Sequence, residues 1–408
     1  MKKILYIANV RIPTEKAHGI QIMKMCEAFG NQNYETELLA PTRHNPKMFG
    51  VDPFQYYEVK KNFQIRHLCA FDPFWLMQLP QGIYIKFQAF FFSISLYFHL
   101  RRVKDRDNYI VYVRDEYLLP VLQRLFKTVV WEAHNLPQNR ARYSEIWKRC
   151  AGIVAISNGL KRDLVKLGID EGNIMVAPDG VDLQKFSAGG GSAFGGQIRG
   201  ELGLPVDKQI VMYTGHLYEW KGAQTLLRAA AFLSLRAPLL DGAKQSQGNT
   251  TLPEADRDDG NLLFVFVGGT DQDIEKFREI AKDADNILIL GHKPYGEISK
   301  YLAAADVLVL PNSAKSEISR SYTSPLKQFE YMAAGKPIVA SSLPSIREIL
   351  DENSAIFFEP DNAADLAGKI DLAISDKNLS EKVASNAAQI VKKYTWDMRA
   401  ERIVDFLG

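Results

Sequence analysis

Cysteine, net charge and clustered histidine are all scarce in this sequence. Three cysteines, Cys26, Cys69 and Cys150, lie far apart and form no CxxC pair. This pattern excludes a disulfide scaffold and a cysteine zinc knuckle, and it is typical of a reducing cytoplasm. The 50 basic and 48 acidic residues leave a net charge of +2, which gives no electrostatic reason to expect nucleic acid as a partner. No two histidines have metal-ligand spacing, so we predict no metal site.

The chain also lacks the motifs of several enzyme classes. It has no GxSxG nucleophile elbow, and the glycines of 189–196 are not placed between a strand and a helix as a dinucleotide fingerprint requires. Asp271 and Asp273 imitate a metal-binding DxD motif, but they lie where a helix begins and suit helix capping better. The N-terminal MKKILYIANVRIP predicts a first buried strand rather than a secretion signal.

Short apolar runs rich in β-branched residues recur between longer segments with helical spacing. They fall into two series, 3–8, 109–114, 128–134 and 152–157, then 209–215, 262–268, 286–291, 306–311 and 337–341. Runs that are apolar on both faces and separated by helix-length segments are typical of parallel strands in βαβ units. For 408 residues we therefore predict an α/β fold with two Rossmann-like, doubly wound domains.

Polar segments mark the predicted domain limits. Residues 187–205 are rich in glycine and predict a flexible linker between an N-terminal domain, 1–186, and a C-terminal domain, 206–391. Residues 235–261 lack periodicity and predict a mobile surface insertion. The last segment, 392–408, predicts an amphipathic helix.

One aromatic segment, 83–102, allows two interpretations. Its large apolar residues recur at helical spacing: Phe87, Phe90, Phe91, Ile94, Tyr97 and Phe98. Polar residues interrupt it, so it falls short of the roughly 20 apolar residues of a spanning helix. Either the helix packs in the core, or its apolar face lies on a membrane surface with Arg101 and Arg102 near anionic headgroups. In the second case Phe71, Phe74 and Trp75 widen the apolar surface.

The segment SPLKQFEYMAAGKP (324–337) is the strongest candidate for a binding site. Ser324 is a helix-capping residue and Pro325 suits a first turn. A helix N-terminus at the carboxyl edge of a parallel sheet favours an anion such as a diphosphate, and Lys327 adds a positive charge. One turn later, the Glu330 carboxylate can accept two hydrogen bonds from adjacent hydroxyls, as a ribose offers.

A second candidate lies in YTGHLYEWKGAQTLL (213–227), which predicts a strand, a glycine turn and a helix. Lys221 stands at the start of that helix, where a cation is unfavourable unless an anion is bound. His216 lies in the preceding turn. Together these side chains predict a site for the two phosphates of a departing nucleotide.

Further candidates follow the predicted strands of the N-terminal half. Gly19 follows the first strand and lets the backbone approach a ligand. Arg114 and Asp115 end one strand as acceptor-side candidates, with a plain ion pair as the alternative. His134 and Asn135 end the next strand, at the sheet edge where ligands bind, although a lone histidine is usually structural.

With APDGVDLQKF (177–186) and GEISKYLAAADVLVLP (296–311), these motifs resemble the retaining glycosyltransferases of family 4. The resemblance implies the GT-B fold, in which two Rossmann-like domains face a cleft. It also implies a UDP- or GDP-type nucleotide sugar held mostly by the C-terminal domain, an acceptor held by the N-terminal domain, no metal cofactor, and a final helix packed on the N-terminal domain. Gly19 matches a glycine loop near the donor phosphates, and His134 matches a histidine near the sugar.

The other site residues are carried over one at a time. Lys221 matches the family's phosphate-binding lysine, and Glu330 matches the second glutamate of the E-x7-E signature, which holds the nucleotide ribose. His216 stands where the family usually has arginine, which implies a weaker and pH-dependent phosphate contact. The first glutamate of the signature normally contacts the donor sugar, and here it is replaced by Tyr322.

We therefore expect a retaining glycosyltransferase in which Lys221, His216 and helix N-termini stabilise the departing diphosphate, with His134 as a further catalytic candidate. The expected setting is bacterial cell-surface or exopolysaccharide glycan synthesis, with a glycan or lipid-linked acceptor. The expected location is the cytoplasm, with peripheral contact to the inner face of the membrane. The alternatives are a nucleotide-sugar epimerase or phosphorylase on the same fold, or a non-catalytic nucleotide-sugar-binding protein, which Tyr322 suggests.

Overall fold

The β-branched runs of the sequence form the buried strands of two parallel sheets. The computed structural model describes residues 2–43, 45–72, 81–137, 139–187, 192–242, 261–282 and 284–408. Every predicted run contains a strand. Unit 1 comprises Met1–Gly180, Ser321–Leu326 and Lys393–Gly408, and unit 2 comprises Val181–Arg320 and Lys327–Lys392. Each unit is a Rossmann-like domain.

Unit 1 is built on a seven-stranded sheet in the order β3-β2-β1-β4-β5-β6-β7. Its strands are β1 (Lys3–Ile7), β2 (Glu35–Thr42), β3 (Gln64–Cys69), β4 (Tyr109–Val113), β5 (Val129–Ala133), β6 (Gly152–Ala155) and β7 (Ile174–Val176). Its helices are α1 (Ala17–Asn31), α2 (Pro53–Tyr56), α3 (Gln81–Leu100), α4 (Leu119–Leu125), α5 (Ser144–Trp147), α6 (Asn158–Lys166) and α16 (Trp396–Leu407).

Unit 2 is built on a six-stranded sheet in the order β10-β9-β8-β11-β12-β13. Its strands are β8 (Gln209–Thr214), β9 (Leu262–Val267), β10 (Ile287–Leu290), β11 (Val307–Leu310), β12 (Ile338–Ser341) and β13 (Ile356–Phe358). Its helices are α7 (Leu183–Ser187), α8 (Ser192–Leu202), α9 (Ala223–Gly242), α10 (Asp271–Ala281), α11 (Tyr295–Ala304), α12 (Leu326–Ala333), α13 (Pro344–Arg347), α14 (Ala363–Ser375) and α15 (Lys377–Ile390).

The register of the parallel strands gathers the candidate side chains of unit 1. Ile7, at the end of β1, pairs with Leu39 of β2 and with Val113 of β4. Because parallel strands end at the same edge of a sheet, the residues that follow them lie along that edge. We call it the carboxyl edge of the sheet, and the same relation holds in unit 2.

The final helix α16 contributes to the core of unit 1. Trp396, Ala400 and Ile403 are buried in the same cluster as Tyr6 and Tyr112 from the sheet. This apolar stripe at helical spacing explains why the segment folds as an amphipathic helix.

The segment predicted as a flexible linker, 187–205, is largely helical. Helix α8 occupies Ser192–Leu202, and its Arg199 donates hydrogen bonds to Ala304 O and to the Asp306 carboxylate at 2.9 and 2.7 Å. These contacts hold α8 on unit 2 despite its glycines. Residues 188–191 lie outside the described residues.

The segment predicted as a mobile surface insertion, 235–261, begins within a helix. Helix α9 continues to Gly242, so the first residues of the predicted insertion are helical. Residues 243–260 lie outside the described residues.

Candidate functional site

A buried carboxylate organises the carboxyl edge of unit 1. Glu132, on β5, is fully buried and accepts hydrogen bonds from Gln21 Nε2 at 2.6 Å, Arg399 Nη1 at 3.3 Å and the Tyr112 hydroxyl. Although burial opposes ionisation, Arg399 and then His134 hold the pKa of Glu132 well below its usual range. The carboxylate is therefore ionised, and it accepts hydrogen bonds from every partner.

His134 follows β5 and is oriented by that carboxylate. Its Nε2 is hydrogen-bonded to Glu132, and because an ionised carboxylate only accepts, Nε2 carries the proton. Burial and the charge of Arg114 lower the pKa of His134 to about 4, against the opposing effect of Glu132. The imidazole is therefore neutral at pH 7, with Nδ1 unprotonated.

Arg114 and Asp115, the acceptor-side candidates after β4, do not form an ion pair with each other, which was the alternative interpretation of these residues. Arg114 Nη1 donates to Gln21 Oε1 at 2.7 Å. The Asp115 carboxylate accepts from Asn9 Nδ2 at 2.6 Å and from Tyr117 N–H at 2.9 Å. Both side chains are half-buried at the carboxyl edge, whereas Asn135 is exposed.

Gly19 lies inside the first turn of α1 rather than before the helix. A Cβ atom at this position would lie 2.2 Å from the Tyr57 hydroxyl oxygen and 2.7 Å from Thr14 Cγ2. That hydroxyl also accepts from Thr14 N–H at 2.7 Å and donates to Thr14 O at 2.8 Å. Packing beneath Tyr57 therefore explains the glycine, and its predicted contact with a donor stays a prediction.

In unit 2, Lys221 ends a 3-10 turn (Glu219–Lys221) after β8, and Gly222 separates it from α9, which begins at Ala223. Lys221 therefore precedes the helix rather than beginning it as predicted. Gly222 has φ 73°, and a Cβ there would lie 1.7 Å from Pro311 O, so only glycine fits. Lys221 Nζ lies 4.1 Å from the centroid of the Trp220 ring. His216 stacks on Tyr218 at 4.9 Å, and its carbonyl accepts from the Tyr213 hydroxyl at 2.6 Å.

Lys327 is a buried cation in the first turn of α12. Its side chain lies against the Tyr213 ring, with Nζ 4.0 Å from the centroid, and the residue is 7% exposed. Among the described residues its Nζ has no hydrogen-bond partner. Burial, and then the charge of Lys221, lower the pKa of Lys327 well below its usual range, while Glu330 opposes this. An anion bound here would supply the missing partner.

Glu330 lies one turn further along α12 and is also 7% exposed. Burial raises its pKa to about 7, against the opposing effects of Lys185, a hydrogen bond from Tyr295, and Lys327. Lys185 in turn packs on Tyr295, with Nζ 4.1 Å from the ring centroid. The site thus joins α7, α11 and α12 around one carboxyl group.

The residues just before α12 belong to unit 1. Ser324 Oγ accepts a hydrogen bond from Asp179 N–H at 2.9 Å, and α12 begins at Leu326, so the buried Pro325 and not Ser324 directly precedes it. Tyr322, at the position of the family's first glutamate, is 2% exposed in the core of unit 1 and donates to the Asp163 carboxylate. At this position the chain has a packed aromatic residue where the family has a carboxylate.

The sequence did not single out several residues that complete these sites. They are Arg43 and Glu132 in unit 1 and Lys185 and Tyr295 in unit 2. Arg43 follows β2 and donates to Asn9 O at 3.0 Å and to Asn9 Oδ1 at 2.6 Å. Its position after a strand was an available signal, but β2 itself had not been predicted.

The structure offers no grouped metal ligands in the parts of the chain that it describes. No set of three or more histidine, cysteine, aspartate or glutamate side chains is arranged to hold an ion there. Of the DxD-like pair, Asp273 forms the capping box of α10 with Thr270, and Asp271 is the first residue of that helix. Asp273 accepts from Thr270 N–H and Oγ, and Thr270 Oγ accepts from Asp273 N–H at 3.2 Å.

Two Rossmann-like domains, one of which carries the buried Lys327 and Glu330 on α12, are the features of the GT-B class. Two family models match the chain in succession, Glycosyltransferase Family 4 over residues 19–185 and Glycosyl transferases group 1 over residues 196–390. The chain belongs to the glycosyltransferases of the family 4 type.

Its similarity to individual proteins is distant. A D-inositol 3-phosphate glycosyltransferase from Thermomonospora curvata is 26% identical over 255 residues, which cover 60% of this chain and 53% of that protein. The chain spans about half the length of the curated relatives it matches.

Solved structures share the fold over almost the whole chain. Anabaena HepE in complex with UDP and glucose has a TM-score of 0.71 at 15% identity, covering 100% of this chain and 99% of that one. Sucrose-phosphate synthase from Thermosynechococcus elongatus has a TM-score of 0.73 at 17% identity, covering 99% and 98%. At such identities the likeness shows the fold alone.

Proposed function

We propose that the chain is a retaining glycosyltransferase that moves a sugar from a UDP- or GDP-type nucleotide sugar to an acceptor hydroxyl. The observation that carries the proposal is Lys327, whose buried ammonium has no hydrogen-bond partner among the described residues and lies near Lys221. A buried cation without an anion is costly, and a diphosphate would neutralise both lysines. The UDP bound to the Anabaena neighbour is consistent with this donor class.

The proposed reaction breaks the bond between the anomeric carbon and the diphosphate oxygen, and the oxygen leaves with the electron pair. The acceptor hydroxyl oxygen bonds to the same carbon from the same face, and its proton passes to the departing diphosphate oxygen. Lys221, Lys327 and the N-terminus of α12 stabilise the negative charge that grows on the diphosphate. In this proposal their charges do the work that a divalent cation does elsewhere, so no resident metal is required.

The other site residues position the substrates. Glu330, when ionised, accepts two hydrogen bonds from the ribose hydroxyls. His216 adds a phosphate contact from the turn after β8. For His134 we propose a hydrogen bond to the transferred sugar, supported by its neutral ring and its fixed orientation on Glu132.

The proposed setting is the assembly of cell-surface or exopolysaccharide glycans on the cytoplasmic side of the membrane, with a glycan or lipid-linked acceptor. The family resemblance supports this setting. The neighbouring sucrose-phosphate synthase has the same fold. The fold therefore does not identify the acceptor, which has to be determined by experiment.

A thermal-shift screen of UDP, GDP, ADP and their sugars tests the donor site. A ligand present at 100 times its dissociation constant stabilises a protein by about 2.7 kcal/mol. We expect one nucleotide class to raise the melting temperature, and Lys327→Met to abolish the shift. Lys276→Met, on the exposed side of α10, is the matched control and should preserve it. If no nucleotide or nucleotide sugar shifts the wild-type protein, the donor site has been misassigned.

Product analysis separates the proposed reaction from its alternatives. NMR of the transferred sugar should show the anomeric configuration of the donor. Inversion would contradict the retaining mechanism. A free epimerised sugar would indicate an epimerase, a sugar phosphate would indicate a phosphorylase, and binding without turnover across acceptors would indicate a binding protein.

A further inference from the structure

Helix α3 is apolar on two opposite faces. Its inner face is buried in the core of unit 1 through Ala89, Phe92, Leu96 and Leu100, each at most 1% exposed. Its outer face consists of Ile83, Phe87, Phe90, Ile94, Tyr97 and Phe98, which are 41–60% exposed. At 100° per residue these six side chains form one stripe, about 22 Å long at 1.5 Å per residue.

The outer face is large for a surface in contact with water. Six side chains of this size and exposure present on the order of 500 Å² of apolar surface, whereas monomeric proteins rarely expose contiguous patches larger than a few hundred Å². Phe71, which is 52% exposed, extends the patch through its contact with Phe91, with ring centroids 4.9 Å apart. Phe74 and Trp75, which were expected to widen it, lie outside the described residues.

The charged side chains from residue 73 to residue 104 are all basic, and the nearest carboxylates along the chain, Asp72 and Asp105, flank this segment. Lys86, Arg101, Arg102 and Lys104 are exposed, and the sequence from 73 to 104 contains no aspartate or glutamate. The Arg101 guanidinium carbon lies 5.1 Å from the centroid of the Phe98 ring, so a cation borders the apolar stripe. A second copy of the chain would bring these cations together, whereas anionic headgroups would neutralise them.

The packing of α3 against the core of unit 1 favours binding at a membrane surface over spanning the membrane. Among the described residues, Ile83–Leu100 is the one helix long and apolar enough to cross a bilayer by length and composition. To cross one, it would have to withdraw Phe92, Leu96 and Leu100 from the core of unit 1, where none of them has exposed surface. The helix can instead stay packed and insert only its outer face into the headgroup region.

We propose that the outer face of α3 binds the surface of an anionic phospholipid bilayer. The same helix reaches the carboxyl edge of unit 1, because Tyr84 and Gln88 donate hydrogen bonds to the carboxylate of Asp72, which follows β3, at 2.7 and 3.0 Å. Membrane binding therefore brings the acceptor-side residues close to the bilayer surface. The proposal concerns binding alone and holds whichever sugar the chain transfers.

Vesicle flotation tests the proposal without donor or acceptor. The wild-type protein should float with vesicles of phosphatidylglycerol and phosphatidylcholine, and high salt should weaken this binding. Phe90→Ser with Ile94→Ser should keep the wild-type melting temperature and lose flotation. Phe232→Ser, which changes a 47% exposed phenylalanine of α9, is the matched control and should float like the wild type. Arg101→Gln with Arg102→Gln should weaken binding about five-fold for each arginine removed.

Several results would overturn this inference. One is a wild-type protein that does not float, and another is a folded Phe90→Ser/Ile94→Ser variant that still does. Unfolding of that variant would mean that the outer face is core. Sedimentation that shows a dimer in the wild type and a monomer in the variant would assign the face to a second copy of the chain. Binding that the arginine substitutions leave unchanged would contradict recognition of anionic lipid.

Discussion

Glu330 should make the unliganded protein less stable as the pH rises through neutrality. Its pKa is raised by burial from 4.5 to about 7, so the folded state binds the proton more tightly than the unfolded state does. The stabilising contribution is complete below pH 4.5 and is lost as the pH passes 7. The shift of about 2.5 units corresponds to about 3 kcal/mol at 1.36 kcal/mol per unit.

The substitution Glu330→Gln removes this titration while keeping the size of the side chain. We expect the variant to gain stability relative to the wild type between pH 5 and pH 8.5, by up to about 3 kcal/mol. At about 2–4 °C per kcal/mol, that is a relative rise in melting temperature of about 6–12 °C. Calorimetry across this pH range measures it, with Glu381→Gln on the exposed surface of α15 as the matched control.

The same substitution should weaken donor binding, because glutamine accepts fewer hydrogen bonds than a carboxylate. Donor affinity of the wild type should fall as the pH drops below 7, where Glu330 gains a proton, and the variant should lack this dependence. The difference in melting temperature between the variant and the wild type should therefore grow with pH. If this difference is the same at every pH, Glu330 does not have the raised pKa of a buried carboxyl group, and the reasoning fails.

Two further predictions concern the charged residues of each unit. Lys221→Ala should lower turnover steeply, because charge grows on the leaving diphosphate, whereas Glu330→Ala should raise the Michaelis constant for the donor more than it lowers turnover. Steady-state kinetics separates the two, and equal, small effects would place the site elsewhere. Glu132→Gln should destabilise unit 1 by about 3–5 kcal/mol, because it removes the carboxylate that forms an ion pair with the buried Arg399. Denaturant unfolding measures this against Glu145→Gln, whose side chain is 78% exposed, and a loss below about 1 kcal/mol would refute the buried pair.

The central strands could be predicted from sequence because both of their faces are buried. Runs such as ILYI (4–7) and LLFVFV (262–267) are apolar throughout, which favours a buried parallel strand. The strands that were missed are different. β3, β7 and β13 lie at sheet edges, where β3 is largely exposed and β7 and β13 have three residues each. β2, ETELLAPT, carries polar residues and a proline within its length.

The candidate site could be predicted only where local motifs carry it. Lys221, Lys327 and Glu330 stand out because glycine, proline and helix signals surround them. Lys185 and Tyr295 come from α7 and α11, and only the folded sheet brings them to Glu330. The motif 177–186 contained Lys185, but nothing local indicated what the lysine contacts.

The sequence pattern also could not predict which face of α3 is buried. A helix that is apolar on two opposite faces does not reveal which of them packs on the core. Phe90 and Ile94 are exposed, whereas Phe92 and Leu96 are buried. The choice is made by the shape of the sheet and α4 beneath the helix, which a single periodicity does not encode.

The three-segment composition of unit 1 has a consequence for how the protein is made. Glu132 is translated 267 residues before Arg399, its cationic partner on α16. At 5–20 residues per second, synthesis of residues 181–392 takes on the order of 10–40 s. During this interval the nascent N-terminal region has neither the guanidinium for its buried charge nor the apolar stripe of α16. A fragment ending near residue 180 should therefore aggregate or bind chaperones, and it should become soluble when α16 is supplied in trans as a peptide.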